Sequence, residues 1–398
     1  MNDTQVIIAG AGPSGLLAAI NLVKSGIDIR IFESKLQRSK LSRALAIHAG
    51  TLEYLEATHP ALLKKFLERG KKIQRLKFGE SYELNVSLIP SRYNFVLLLE
   101  QEESEEILEE YLLELGCKVE RGFKVIDVKS NDTKVTAIIQ KAEEEISVDG
   151  LYLLDCSGAH SIIRKEVLKL SFKGEKYFGR LVMGDVKVTS SLDENAGYVT
   201  SNDLGFAGFL PLTSPSYFRV ILIPQTAIEI PQTIDINFFQ KLAKSIAPHI
   251  ELDEENKWLT SFEIHKRIAA KMRVHRIFLL GDAAHIHSPV GGQGMNLGMH
   301  DALNITNKLK RVLIDLEDPR LLDLYEKQRR PIIENVLRNT NAAMRSGFEK
   351  SALSQVGFWL IRKVIAPVFF KSEFLQKRFC IMLSQIKAAR QEIAWMKS

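Results

Sequence analysis

Gln5-Val6-Ile7-Ile8-Ala9-Gly10-Ala11-Gly12-Pro13-Ser14-Gly15-Leu16 is the stretch on which the fold turns. Gln5 to Ala9 reads as a short buried strand, a glycine turn follows at once, and Leu16 to Lys24 has the apolar spacing of a helix. The next apolar segment, Ile27 to Phe32, alternates and ends in Glu33, so strand, turn, helix and strand form a compact βαβ unit. Gly10 permits the tight turn, Gly12 lets a pyrophosphate approach the backbone, and Gly15 lets the helix pack closely on the strand. The helix N-terminus then faces the phosphates with free N–H groups, and Pro13 and Ser14 of the turn are cofactor-binding candidates. Glu33, followed by Ser34, is placed to accept hydrogen bonds from an adenosine ribose, and its charge disfavours a 2′-phosphate there. The unit implies a dinucleotide without deciding between FAD and NAD.

A second glycine segment lies far downstream. Arg276 to Leu280 reads as a strand running into Gly281-Asp282-Ala283-Ala284-His285-Ile286-His287-Ser288-Pro289, then Val290-Gly291-Gly292-Gln293-Gly294-Met295-Asn296. Asp282, at the end of the strand, suits a hydroxyl of an extended sugar-alcohol chain. Glycines at 291, 292 and 294 let backbone N–H groups approach a flat ring. A helical pattern resumes near Gly294, and its positive end would stabilise an anionic reduced flavin.

This segment resembles that of the FAD-dependent aromatic hydroxylases, the class A flavoprotein monooxygenases that act on para-hydroxybenzoate and phenol. In that family the Asp of the G-D segment holds the ribityl chain, and the Pro and Gly-rich loop flank the isoalloxazine. The resemblance therefore assigns cofactor contacts to Gly281, Asp282, Pro289, Gly291, Gly292, Gly294, Met295 and Asn296. Further matches come in the family's order: Arg43 in Ser42-Arg43-Ala44, and Gln101 with Glu105 four residues on, where the family's Arg and Gln contact the cofactor. Leu322, Tyr325, Arg329, Arg330 and Pro331 are similar to its L-x-x-Y-x-x-x-R-R-P stretch, a helix under the flavin lobe. One departure stands out: where the family reads D-G-x-x-S-x-x-R, this chain has Asp155-Cys156-Ser157-Gly158-Ala159-His160-Ser161-Ile162-Ile163-Arg164. Ser157 replaces the usual Asp, so Asp155 and Ser157 are expected to share the polar work beside Gly158.

The resemblance implies an α/β fold: a Rossmann-like, glutathione-reductase-type FAD-binding domain, an inserted antiparallel-sheet substrate domain and a C-terminal helical segment. The expected division is 1–75, 100–165 and 266–340 for the discontinuous FAD-binding part, 76–99 and 166–265 for the substrate sheet, and 341–398 for the helical segment. Short strands such as Leu181 to Val188, Gly205 to Leu212 and Tyr217 to Pro224 fit the sheet, and Phe206, Phe209, Leu210 and Phe218 are pocket candidates within it. The implied chemistry uses NADPH or NADH as reductant and molecular oxygen to hydroxylate an aromatic or polycyclic phenolic small molecule through a flavin C4a-hydroperoxide. Since the flavin carries the hard step, no Ser-His-Asp or Cys-His set is needed, and none is apparent. His48 is the single candidate for a protein catalytic group. The pair His285 and His287 reads as structural hydrogen bonding, with no metal site.

Other readings compete. Ser157 suggests a flavin-dependent halogenase, against which Trp258, Trp359 and Trp395 stand apart without a W-x-W-x-I-P segment. A flavin reductase or epoxidase acting on a quinone or lipid, and a flavin-binding redox sensor, are the remaining alternatives.

Composition fits any of these. The chain has 398 residues, enough for two lobes. Its 54 basic and 48 acidic residues are interspersed, which argues against nucleic acid as a partner. The locally basic Lys64 to Lys77 reads as a solvated helix face. Cys117, Cys156 and Cys380 have no paired spacing, so a reducing cytoplasmic setting is expected. Val356 to Phe370 is interrupted by Arg362, Lys363 and Pro367, too broken for a membrane span. The tail, with Phe358, Trp359, Phe369, Phe370 and Phe379, is expected to cover the substrate lobe or a dimer contact, with a peripheral membrane contact as the alternative. Monomer and homodimer are both open.

Overall fold

The computed structural model describes residues 3–39, 44–225, 228–348 and 365–397. Val6–Ala9 lies between Ile29–Glu33 and Tyr152–Asp155 in a parallel core, which Ile277–Leu279 extends in parallel and Arg273–Val274 and Glu120–Arg121 complete at the edges. Three of these strands, Val6–Ala9, Tyr152–Asp155 and Ile277–Leu279, are buried throughout, and the first and third accordingly read as unbroken apolar runs. The crossover helix α1 (Pro13–Lys24) starts three residues earlier than its apolar spacing suggests, because proline at the first turn sacrifices no helix hydrogen bond. It packs against α4 (Gln101–Glu114) and α6 (Gly294–Leu313). On the other face a meander of Lys124–Ser130, Val135–Lys141 and Glu144–Gly150 buries Val135, Ile139 and Val148 against Ile7, Phe32 and Leu153.

The second layer is an eight-stranded sheet in the order His285–Ile286, Leu252–Ala269, Phe172–Val188, Tyr217–Pro224, Gly205–Pro211, Ala196–Asn202, Arg75–Phe78 and Tyr82–Asn85. Strand alternation sorts the expected pocket aromatics. Phe209 and Phe218 face outward into a core with Val182, Val220 and Leu222, capped by α5 (Ile236–Ile246) through Phe239, Leu242 and Ile246. Phe206 and Leu210 face the opposite way, toward a large cavity. Helix α5 departs from the all-strand expectation for this lobe: Asp235 caps it by accepting from the Phe238 N–H at 2.7 Å, and its strong apolar face needs the sheet beneath it.

Lys64 to Lys77 is not one helix face. The helix α3 (Pro60–Arg69) stops at Gly70, whose backbone is extended, and Lys71–Ile73 and Arg75–Phe78 are strands.

After α7 (Leu324–Phe348), the described tail forms α8 (Ala366–Lys371), α9 (Glu373–Leu383) and α10 (Ile386–Lys397). It covers more than the substrate lobe. Phe370 stacks on Tyr82 of the sheet at 4.9 Å, but α10 packs against α2 (Ala49–Thr58) of the dinucleotide lobe. The Gly50 N–H donates to the Ser384 carbonyl at 2.9 Å, in a contact too close for any side chain at position 50. Phe358 and Trp359 lie outside the described residues. Among the described residues no helix is long and apolar enough to cross a membrane.

Candidate cofactor and substrate site

Gly10 sits at φ +103°, and a Cβ there would run into the Cys156 carbonyl. A Cβ on Gly15 would strike the carbonyl of Gly10 itself. Gly12 differs, because nothing lies within 4 Å of where its Cβ would be. Two of the glycines are therefore demanded by the protein's own packing, whereas the third keeps space open at the N-terminus of α1. An opening at a helix N-terminus is a place suited to an anionic group. Glu33 braces the turn from below: Oε2 accepts from the Ala11 N–H at 3.0 Å, while Oε1 accepts from the Lys35 N–H at 2.9 Å and the Ser34 hydroxyl at 3.2 Å.

The second turn meets the first at Ser14, whose Oγ lies 2.8 Å from where a Gly281 Cβ would be. Gly291 and Gly292 have φ of +82° and +61°. A Cβ on Gly292 would come within 2.7 Å of the Ala46 Cβ, so the 289–294 loop is pressed against the 44–47 segment. Both turns open onto one cavity of about 1680 Å³ between the two sheets. Single drug-sized ligands occupy about 300–1,000 Å³, so the space suits a dinucleotide together with a second molecule.

Of the residues singled out in the sequence, Gly10, Gly12, Pro13, Ser14, Glu33, Ser34, His48, Gln101, Ser157, Gly158, Gly281, Asp282, Pro289, Gly291, Gly292, Gly294 and Met295 line this cavity. Gly15, Asp155 and Asn296 are not among the lining residues, and Arg43 lies outside the described residues. Asp155 is fully buried, accepting from the Ser157 N–H at 3.1 Å and from the Ser157 and Ser161 hydroxyls at 2.5 Å each. Arg164 then donates to the carbonyls of Ala283 at 2.8 Å and Ala159 at 2.7 Å, tying this motif to the second turn. Asn296 works as a staple. Its Nδ2 donates to the carbonyls of Ala46 and Gly292 at 2.8 and 2.9 Å, and its Oδ1 accepts from the His48 N–H and the Thr51 hydroxyl at 2.9 and 2.7 Å. Gln101 accepts from the Ala44 N–H at 3.3 Å and donates to Glu105 at 2.8 Å.

A buried ionic network behind the second turn escaped the sequence reading. Asp301 of α6 accepts from the Gly281 N–H at 3.1 Å, from His285 Nε2 at 2.7 Å and from Arg329 Nε at 2.7 Å. Arg329 also donates to Glu392 of α10 at 3.0 Å. Burial would lift the Asp301 carboxyl, but His285 and Arg329 hold it below the usual range; at Glu392 burial outweighs Arg329 and lifts it. The available signal was an acid on an apolar helix stripe, one turn beyond Leu297 and one before Ile305. The tail also grips the 289–294 loop directly: Gln293 Nε2 donates to the Leu383 carbonyl at 2.8 Å, and Gln385 Nε2 donates to Gln293 Oε1.

His285 and His287 are structural in their bonding, the first to Asp301 and the second through Nδ1 to the Ser288 carbonyl at 2.6 Å. His48 donates Nε2–H to the Gly291 carbonyl at 2.8 Å. Burial holds His48 and His287 down at about 4. The unfolded chain, with histidines near about 6.5, binds protons that these two refuse when folded. Their contribution to stability is complete above about pH 6.5 and is lost as pH falls toward 4, at up to about 1.4 kcal/mol per histidine per unit. Thermal unfolding between pH 7 and 4.5 checks this: Tm should fall on acidification, and a flat profile would contradict it.

Paired glycine turns meeting at one helix start, with a mostly antiparallel sheet across the cavity from them, define a dinucleotide-dependent flavoprotein oxidoreductase. The sequence matches the FAD binding domain family over residues 3–340, and the chain belongs to that family, the FAD-dependent monooxygenases of aromatic-hydroxylase type. It is 33% identical over 346 residues to a rifampicin monooxygenase of Rhodococcus hoagii, covering 85% of this chain and 70% of that one. Its fold superimposes with a TM-score of 0.81 on an anhydrotetracycline hydroxylase from Streptomyces rimosus, at 28% identity over 96% of this chain and 76% of the other. A p-nitrophenol 4-monooxygenase from Pseudomonas putida has the same fold, with a TM-score of 0.84 at 22% identity over 96% and 99% of the two chains.

Proposed function

We propose that this chain hydroxylates an aromatic or polycyclic phenolic molecule, using one bound FAD, molecular oxygen and NADPH or NADH. The observation that carries the reading is the single cavity joining both glycine turns to the apolar face of the second sheet. The bound flavin, once reduced by the nicotinamide coenzyme, supplies the activation of oxygen.

The protein's own part is to bind, orient and exclude water. Gly10, Gly12 and Ser14 with the α1 N-terminus would hold the pyrophosphate, Glu33 the adenosine ribose, and Asp282 the ribityl chain. Gln101, Ser157 and Gly158 would flank the dinucleotide, and Pro289, Gly291, Gly292, Gly294 and Met295 the ring. Asp155 and Asn296 would act from behind, by fixing Ser157 and the ring-side loop. His48 is best read as a positioning residue, because its Nε2–H is spent on the Gly291 carbonyl and burial keeps the imidazole neutral at neutral pH. The division into 1–75, 100–165 and 266–340 for cofactor, 76–99 and 166–265 for substrate, and 341–398 for closure follows the same plan.

The test uses purified protein. It should be yellow, should consume NAD(P)H faster with a phenolic or polycyclic substrate, and should place one atom of ¹⁸O₂ in the product. Substrate-stimulated NAD(P)H consumption that yields only hydrogen peroxide with every ring tried would refute oxygen insertion.

A further inference from the structure

Twelve large apolar side chains are exposed among the described residues, and six of them fall on two consecutive short helices: Ile365, Val368, Phe374, Leu375, Phe379 and Met382. Scattered exposed apolar residues are ordinary, but half of the set gathered on α8 and α9 is a patch that calls for a partner. The helices cannot turn to hide it. Gln376 of α9 is buried, accepting from the Asn85 N–H at 2.8 Å and donating to the Phe370 carbonyl at 2.8 Å, and the Cys380 thiol donates to the Asn85 carbonyl at 3.6 Å. Phe374, Arg378 and Met382 follow one another at i, i+4 spacing on the side away from Gln376 and Cys380. Phe370 of α8 is held by its stacking on Tyr82, which leaves Val368 59% exposed and Phe374 of the next helix 65% exposed.

The exposed charges set among these side chains are Lys371, Lys377 and Arg378, against the single acid Glu373. Arg378 lies over the Phe374 ring at 5.6 Å, so cation and apolar group share one face. Phe379 and Met382 also line the large cavity, so the apolar surface runs on from the outside of the molecule into its interior.

We propose that α8 and α9 dock this protein on an anionic lipid surface. Val368, Phe374 and Leu375 enter the headgroup boundary, Lys371, Lys377 and Arg378 meet the lipid phosphates, and the cavity rim at Phe379 and Met382 is held against the bilayer. A second copy of the chain is the competing occupant. Two-fold pairing presents the same patch from both sides, so it sets the three cations against their own equivalents, and their repulsion opposes it. An anionic surface turns the same charges into attraction. Docking of this kind is independent of the hydroxylase reading.

The experiment sediments the purified 398-residue chain with vesicles of phosphatidylcholine alone and of phosphatidylcholine mixed with phosphatidylglycerol. Binding to the anionic vesicles should be at least about tenfold tighter and should weaken with added salt. Val368→Ser combined with Phe374→Ser should lower that binding at least about tenfold. Lys377→Gln combined with Arg378→Gln should reduce the preference for anionic over neutral vesicles. Leu316→Ser, an exposed apolar residue outside the patch, is the control and should bind as the parent does. All of these side chains are exposed, so Tm should stay at the parent value and certify the fold. Equal binding to the two kinds of vesicle, binding to neither, or full binding by the Val368→Ser, Phe374→Ser variant overturns the proposal. A dimer in solution that the same double variant dissociates would assign the patch to a second copy and overturn it as well.

Discussion

Gly12→Val should give a folded protein without FAD. The backbone at Gly12, φ −77° and ψ −177°, is open to any L-residue, and no protein atom lies within 4 Å of the new Cβ. The fold therefore loses nothing, and the apoprotein Tm should match that of unaltered apoprotein within a degree or two. The same side chain fills the space left for phosphate at the α1 N-terminus. FAD affinity should fall at least about 100-fold, which is about 2.8 kcal/mol at about 1.4 per decade. Gly15→Ala supplies the contrast. Its Cβ would strike the Gly10 carbonyl, so helix and strand must separate, and both Tm and FAD content should drop. If Gly12→Val keeps its flavin, the opening at this turn is not the phosphate site.

Arg329→Met should be the most damaging single change to stability. Arg329 is 0% exposed and bonds Asp301, Glu392 and the Leu297 carbonyl. Methionine replaces much of the volume but leaves two buried carboxyls without their cation, a loss of about 3–5 kcal/mol. Asp301 also holds the Gly281 N–H, so cofactor affinity should fall with Tm. Removal of all three charges, in Arg329→Met with Asp301→Asn and Glu392→Gln, should recover part of the Tm. Recovery separates loss of charge balance from loss of packing. A single-variant Tm unchanged from the parent would show that the network contributes nothing.

Much of this architecture could be read from the chain because its decisive parts are local. A strand, a glycine turn and a helix within some twenty residues leave a pattern that short-range sterics enforce, as at Gly10 and Gly15. The 281–296 segment was legible for the same reason. What could not be read depends on contacts between distant residues. Nothing near Gln293 announces Leu383 or Gln385, and nothing in the alternating strand around Asp185 announces Arg219. Periodicity also misled at Lys64 to Lys77, where spacing suited a helix but Gly70 ended it and β-pairing took the rest. The four aromatic and leucine candidates of the sheet were nominated without their faces, since alternation tells two sides apart but not which one meets the cofactor lobe.

The grip of Leu383, Gln385 and Glu392 on Gln293 and Arg329 has a consequence for how the enzyme is made. A nascent chain that has released the first βαβ unit, and even the second glycine segment, still lacks the supports of its 289–294 loop until residues 383–392 have left the ribosome. The first turn can form early in translation, whereas the 289–294 loop, where the proposed function seats the flavin ring, is braced only once residues 383–392 are in place. Released chains truncated before Leu383 should therefore give up FAD faster than the 398-residue chain.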